Sequence, residues 1–492
     1  MKLSSIRSFS FYTRRGKLKF VLFGTGDYYN RYHHFFHEQD VVAVLDNNAK
    51  KQGTYIDGWP IASPEKIQEF NFDAVVILSF YYLEMKAQLR ELGVPEEKIF
   101  HFYDLYKLFT ESGYDYKEDE KAVYKAKRQQ GPEATRSVLL LSHDLNLGGP
   151  ALALFNAAKV LQGNGYRVTF GSMIDGRLRE NLTEEGIDVI VDSRLQLLPM
   201  NQIGWISDFD LVICNTINYH TFLKKTAEDI PIIWWLHDSA FFYQGIRKGA
   251  LENINRSNIK LLSVGSVPKR AFQSRVPSAD ISELLYAVAD STQTNADLLE
   301  ADKRKEKQPR VLFTTIGYIE WRKGQDVLLD AIEQLGEDTL SKCSFKLVGQ
   351  DESLFADKLR CRAEPYSNVN FVGTVGRDEI NNILENTDVL ICPSREDPMP
   401  TVCAEAMMHK VPCLVSDATG TAAYIHNGID GFIFLSESSE KLAEKIKWCV
   451  EHQDNLKEIG ACARNIYEEH FTTEVFENTL LGYVWECLKI KA

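Results

Sequence analysis

The chain has 492 residues, 44% of them apolar and 25% charged, with 69 acidic against 56 basic side chains and a formal net charge of −13. That length suggests about three domains of ~150 residues, the composition argues against a disordered protein, and the acidic balance argues against general nucleic-acid binding. The nine cysteines occur singly, without C-x-x-C spacing, so neither a zinc ribbon nor a disulfide framework is expected and a reducing cytoplasm is the natural setting, while no apolar run reaches the ~20 residues that span a bilayer.

Residues 1–16 form a basic, Ser-rich and aromatic tail without the apolar region of a secretory signal. Arg7, Arg14 and Arg15 suit a peripheral contact with an anionic membrane surface. Residues 17–105 alternate strand and helix patterns: LKFVLF, a turn with Gly24 and Gly26, VVAVL ending at Asp46, then AVVILS. This predicts a small α/β domain. Gly24-Thr25-Gly26 followed by Asp46 has the spacing of a dinucleotide fingerprint, in which glycines admit a pyrophosphate and the acid holds a ribose. Tyr29 stands where the third glycine belongs, so the domain either binds a ligand differently or serves as a docking unit. Residues 106–135 are rich in Lys, Glu and Asp and predict a charged, solvated helical linker.

Residues 136–300 open with the buried-strand run SVLLLS and a turn through Gly148 and Gly149 into a helix with Pro150 at its start. The runs RVTF, DVIV, DLVIC, PIIWWL and KLLSV follow, as in a doubly wound parallel sheet. Ligands of such sheets lie beyond the carboxyl ends of the strands, and His237 directly follows PIIWWL. A charged connection near 290–310 leads into a second alternating unit, 301–471, and residues 472–492 predict an amphipathic helix with Val475, Phe476, Leu480, Tyr483, Val484 and Cys487 on one face. Two α/β lobes with a cleft between them are implied.

The most informative stretch is ICPSREDPMPTVCAEAMM, Ile391 to Met408. A strand ends, a turn carries Arg395, Glu396 and Asp397, and a helix begins near Pro400. Thr401 and Val402 then offer backbone N–H groups at a helix N-terminus, where an anion is favoured. Glu405 lies one turn further on the same face. The stretch is either an anion site flanked by two carboxylates or an ordinary strand-to-helix turn.

From Arg136 onward the chain resembles the family-four retaining glycosyltransferases of the GT-B fold. The matching pieces are SHDLNLGGP, WWLHD, GYIEWRKGQDVLLDAI, VNFVGTV, REDPMPTVCAEAM and TGTAAYIHNGIDGF, in that order. Residues 17–105, with LDNNAKKQG and IDGWPIASPEKI, resemble small Rossmann-like domains attached to bacterial sugar-nucleotide enzymes. The resemblance implies an acceptor lobe at 136–300, a nucleotide-sugar donor lobe at 301–471 and a final helix crossing back to the first lobe. It implies that Glu405 holds the donor ribose and that Asp397 contacts the donor sugar; Asp397 has the motif's seven intervening residues before Glu405, whereas Glu396 has eight.

Further roles follow from the same resemblance. Arg322 and Lys323, at the start of the helix after GYIE, suit the donor diphosphate and its departing charge. Gly148 and Gly149 are the closest approach of the first lobe to the phosphates. His237 faces the acceptor, Thr374 and Val375 read the nucleobase through their backbone, and Met399 keeps the one backbone N–H between Pro398 and Pro400. Tyr318 stands where relatives often carry arginine and Ala423 where they often carry an acid.

The expected reaction moves a sugar from a nucleoside diphosphate sugar, a UDP-sugar by family habit, to a glycan or lipid-linked acceptor hydroxyl. No cofactor or metal is expected, and no Asp-x-Asp motif stands at a strand end. The alternatives are a non-catalytic partner subunit of a polysaccharide-assembly complex, and a sugar-nucleotide epimerase on the same two-lobed fold.

Overall fold

The computed structural model describes residues 18–37, 39–79, 81–105, 121–127, 136–227, 229–254, 256–292, 310–350 and 353–489. The basic tail, most of the linker and the connection at 293–309 lie outside them.

Three sheets organise the chain. The first contains β1 (Lys19–Phe23), β2 (Asp40–Leu45), β3 (Tyr55–Ile56), β4 (Trp59–Ala62), β5 (Ala74–Ile77) and β6 (Ile99–His101), ordered β3-β4-β2-β1-β5-β6. The helix α1 (Asp27–Tyr32) follows β1. All pairings are parallel except the β3–β4 hairpin.

The second sheet contains β7 (Lys121–Tyr124), β8 (Arg136–Ser142), β9 (Tyr166–Ser172), β10 (Asp188–Asp192), β11 (Leu211–Asn215), β12 (Ile232–Leu236), β13 (Ile259–Ser263) and β14 (Ser282–Glu283). Its order is β14-β13-β12-β11-β8-β9-β10-β7. The strands β8 and β12 are buried on both faces, which is why they read as unbroken apolar runs rather than alternating ones. The helix α2 (Gly149–Gly163) follows β8, and α3 (Ser266–Gln273) follows β13. One expectation fails here: residues 121–124 of the predicted helical linker form β7, an antiparallel edge strand on β10. The pattern KAVY is short and mostly exposed, as an edge strand can be, and its partner is far away in sequence.

The third sheet contains β15 (Val311–Ile316), β16 (Cys343–Val348), β17 (Val369–Gly373), β18 (Val389–Cys392), β19 (Cys413–Ser416) and β20 (Gly431–Phe434), ordered β17-β16-β15-β18-β19-β20 and wholly parallel. Its helices include α4 (Gln325–Glu333), α5 (Arg377–Glu385), α6 (Thr401–Met408) and α7 (Leu456–His470). The last helix, α8 (Thr473–Lys489), buries Phe476, Leu480, Val484 and Cys487 on one stripe. It packs against α2 and β12 of the second sheet.

A single apolar cluster runs from Leu140 and Trp235 through Phe476 and Leu480 to Phe471, Met407 and Met408. The two larger lobes therefore share a core through α8. In both, strand order reverses in the middle, between β8 and β11 and between β15 and β18. Such switch points leave a crevice at the carboxyl ends of the strands.

Candidate active site

The crevice of the third sheet is built by two loops, one after β15 and one after β18. Arg395 ties them together. Its guanidinium donates to the Trp321 carbonyl at 2.6 Å and to both Asp326 oxygens at 2.8 Å, and its N–H donates to the Arg322 carbonyl at 2.9 Å. Gly324 is left-handed (φ 71°), and a Cβ there would fall 2.0 Å from the Pro393 carbonyl oxygen, so only glycine admits this approach.

The sequence expectation that Arg322 and Lys323 open a helix needs correction. They lie in a separate 3-10 turn, Trp321–Lys323, and Gly324 divides it from α4. The consequence is that both side chains turn toward the second loop. Lys323 Nζ reaches Asp397 Oδ2 at 2.6 Å. Burial is the largest influence and works against the ammonium charge, but the charge and hydrogen bond of Asp397, with Cys392 nearby, leave Lys323 above its usual range. Arg322 donates to the Glu396 carbonyl at 3.1 Å and to Glu320 at 2.8 Å.

Asp397 and Glu396 face opposite ways. The Asp397 backbone is pinned to the loop after β19, donating to the Ala418 carbonyl and accepting from Gly420 N–H at 2.9 Å. The Glu396 carboxylate instead crosses to the second sheet's lobe and accepts from Ala240 N–H at 2.7 Å and Phe241 N–H at 3.2 Å, capping a 3-10 turn there. Beside it, Met399 is buried, its carbonyl accepting from Tyr286 OH at 2.9 Å.

The helix α6 begins after Pro400, which is its N-cap rather than its first residue and supplies no side-chain cap. The first-turn N–H groups of the exposed Thr401 and the half-buried Val402 thus have no capping side chain. Glu405, one turn on, is buried and meets Arg377 at 2.8 Å. Burial raises its pKa and Arg377 opposes the rise, leaving the carboxyl above its usual range. Arg377 is the first residue of α5, directly after the loop that holds the exposed Thr374 and the half-buried Val375.

Sequence reasoning missed Arg377. A signal existed, because a cation in a helix's first turn opposes the dipole and needs another reason to be there.

The second sheet's lobe presents Gly148 as the N-cap of α2 and Gly149 as its first residue. Both are exposed, and a Cβ on either would meet nothing within 4 Å among the described residues. The fold therefore does not itself require glycine there.

His237 follows β12, buried and tilted against the Trp235 ring. Burial, aided by the charge of His143, pushes its pKa down to about 3, so the imidazole is neutral, and its Nε2 has no hydrogen-bond partner among the described residues. The hydroxyls of Thr216 and Ser239, at neighbouring strand ends, are likewise unpartnered. Thr216 has φ 64°, a strained position for a β-branched residue and of a kind that clusters at functional sites. Next to His237, the buried Asp238 accepts from Ile217 N–H at 2.5 Å, and burial lifts its pKa to about 7 against that bond.

The N-terminal unit sits on this same end of the lobe. Arg31 of α1 meets the buried Asp144 at 2.6 Å, Tyr103 OH donates to Asn218 at 2.8 Å, and Arg247 meets Asp104 at 2.7 Å. Its own glycine turn is internally occupied. Thr25 donates to Asp46 from its backbone N–H at 3.2 Å and from its hydroxyl, and Lys51 donates to that hydroxyl at 2.8 Å. Where all three units meet, a cavity of about 630 Å³ is lined by Glu84, Phe241, Gln244, Arg270, Trp321 and Arg322, among others.

Three family models match the chain. One, described as glycosyl-transferase family 4, covers residues 134–275, and another, glycosyl transferases group 1, covers 298–466. A third, described as C2185-like, N-terminal, covers 16–100. The chain is 26% identical over 358 residues to spore coat protein SA of Bacillus subtilis, a match spanning 68% of this chain and 94% of that protein. It is 28% identical over 128 residues to the Escherichia coli UDP-Gal:alpha-D-GlcNAc-diphosphoundecaprenol alpha-1,3-galactosyltransferase, across 26% of this chain and 33% of that one. Among solved structures, Anabaena HepE in complex with UDP and glucose superposes with a TM-score of 0.59 at 19% identity, covering 71% of this chain and all of that one. The lipopolysaccharide glycosyltransferase WaaG superposes with a TM-score of 0.52 at 17% identity, over 70% of this chain and 98% of that one. These similarities establish the architecture of residues 134–466.

Proposed function

We propose that this chain, which belongs to the family-four-like glycosyltransferases of GT-B fold, is a retaining, metal-independent enzyme that moves a sugar from a nucleoside diphosphate sugar, a UDP-sugar in the first instance, to an acceptor hydroxyl in cell-surface glycan synthesis. The observation that carries this reading is the partly buried Lys323–Asp397 pair at the β15/β18 switch point, beside the uncapped N-terminus of α6. A charge-paired lysine and free helix N–H groups suit a diphosphate that gains negative charge as the glycosidic bond breaks. HepE, whose fold this chain shares, was solved with UDP and glucose.

In this reading the diphosphate lies between Lys323, the first turn of α6 and the Gly148–Gly149 turn. Asp397 orients the donor sugar. Glu405 accepts the ribose hydroxyls once Arg377 swings away, and Thr374 and Val375 border the base. The leaving diphosphate takes the acceptor proton on the same face from which it departs, so configuration is retained. His237, neutral at physiological pH, has its free Nε2 for an acceptor hydroxyl. The acceptor enters by the cavity at Trp321 and Phe241, whose rings offer stacking surfaces beside the Arg322 and Glu84 charges.

A thermal-shift screen of nucleoside diphosphates and their sugars tests the donor assignment. A ligand bound to the folded state raises the melting temperature by mass action. At least one uridine ligand is expected to raise it in the native chain and to lose that effect in Glu405→Ala; no rise with any member of the panel would refute the site. The non-catalytic and epimerase readings are not favoured, since the galactosyltransferase of E. coli and the structural neighbour WaaG are both named as transferases.

A further inference from the structure

The N-terminal unit carries a cluster of ligating side chains that the transfer reaction does not use. His33 and His37 are one turn apart, because α1 runs directly into a 3-10 turn at His33–Phe36, and their rings lie 5.2 Å apart. Asp57 reaches them from the β3–β4 hairpin. Its two-residue loop, Asp57-Gly58, has φ of 51° and 82°, the doubly positive pattern of a type I′ turn, which fixes where the carboxylate points.

One ligand atom from each of His33, His37 and Asp57 lies within 4.8 Å of the others. His33 Nε2 is 3.7 Å from Asp57 Oδ2. Ligands of a tetrahedral zinc ion stand about 3.4 Å apart at ordinary bond lengths, so small side-chain rotations close the set.

The surrounding bonds are those of a metal site. His33 Nδ1 is 2.9 Å from the Tyr29 carbonyl, which can only accept, so Nδ1 is the donor there and Nε2 is the ring nitrogen on the Asp57 side. A ligating histidine is ordinarily held in this way by a backbone carbonyl. Tyr29 OH donates to Asp57 Oδ2 at 2.7 Å and orients the carboxylate. Trp59 lies against His37 at 5.8 Å between ring centroids. The three ligands leave a fourth position open to water, and both His33 and Asp57 are partly exposed to solvent ions.

We propose that His33, His37 and Asp57 bind a borderline divalent cation of the zinc class, at a site separate from the donor cleft. Two imidazoles and one carboxylate favour such an ion over magnesium or calcium, which take oxygen ligands. Its effect is structural. The ion joins the 3-10 turn that continues α1 to the β3–β4 hairpin, and Arg31 in the last turn of α1 pairs with Asp144 of the second sheet's lobe. Metal loading therefore stiffens the helix that seats this unit on the acceptor lobe.

The test uses the full chain stripped of metal with a chelator. Calorimetric titration with Zn²⁺ and visible absorption with Co²⁺ are compared between the native chain, His33→Gln/His37→Gln and Asp57→Asn. The exposed Cys361 is a competing ligand, so the difference between native and variant is read rather than total uptake. The expected result is one ion per native chain with tetrahedral Co²⁺ bands and a raised melting temperature. The double variant is expected to lose all three, and Asp57→Asn to bind at least about 10-fold more weakly. Should the double variant fail to fold, Asp57→Asn decides alone, because asparagine tolerates the positive φ of the turn. No stoichiometric ion in the native chain, or equal affinity in Asp57→Asn, overturns the proposal. Neither outcome bears on nucleotide binding, which is measured separately.

Discussion

At the scale of single residues, adjacent side chains divide the work of the cleft. Lys323 and Asp397 face each other inside the third sheet's lobe, while Glu396 reaches the second sheet's lobe through two backbone N–H groups. Lys323→Ala is expected to lower donor turnover about 100-fold or more, the scale of losing one preorganised charge at a leaving group, with the fold intact by circular dichroism. Glu396→Gln is expected to keep nucleotide affinity and to weaken acceptor use, because a neutral amide caps the Ala240 turn less strongly; acceptor KM measured against donor KM checks this.

His237 and Asp238 give a pH signature. The Asp238 pKa of about 7 exceeds the ~4 of an unfolded aspartate. Between those values the native state binds the extra proton, so this residue erodes stability as pH rises from about 4 to 7 and adds nothing further above that. His237, depressed to about 3, acts oppositely, eroding stability as pH falls below about 6.5. Urea denaturation of Asp238→Asn against the native chain isolates the first effect. The variant should gain relative stability from pH 5 to pH 7 and show a constant difference from pH 8 upward.

At the scale of elements, the site depends on loops held at backbone distance. A Cβ at Gly420 would stand 1.8 Å from the Pro398 carbonyl oxygen, between the loops after β18 and β19. Gly420→Ala is expected to cost about 1–3 kcal/mol by overpacking, and to lower turnover further because Gly420 N–H holds the Asp397 carbonyl. Chemical denaturation beside an activity assay separates the two losses.

This is also the scale at which the sequence was most legible. Runs such as SVLLLS and PIIWWL announce strands because both faces are buried, and the stretch from Ile391 to Met408 does lie at a strand-to-helix turn. What stayed hidden depends on distant partners. The edge strand Lys121–Tyr124 lacks apolar alternation, and Gly324 breaks what read as one helix into a 3-10 turn and α4. The contacts Arg377–Glu405, Glu396–Ala240 and Arg31–Asp144 join residues 28, 156 and 113 positions apart, and no local pattern marks them.

At the scale of the whole molecule, the N-terminal unit packs onto the second sheet's lobe rather than standing apart from it. Its internal glycine turn is filled by the Thr25, Asp46 and Lys51 contacts, which favours a docking role over dinucleotide binding. Arg31→Ala leaves Asp144 buried without its guanidinium. Breaking one side of a buried pair costs about 3 kcal/mol or more, and a loosened N-terminal unit is expected to appear as faster proteolysis there than in the native chain. Among the described residues no helix is long and apolar enough to cross a membrane.

The proposed activity of the Lys323–Asp397 cleft is cleavage of a nucleoside diphosphate sugar. The most direct measurement is UDP release from a panel of UDP-sugars with a mixed pool of glycan and lipid-linked acceptors, comparing the native chain with Lys323→Ala. Release is expected from at least one donor, with retained anomeric configuration in the product and a fall of about 100-fold in the variant. Equal release by native and variant protein, or an inverted product, would contradict it.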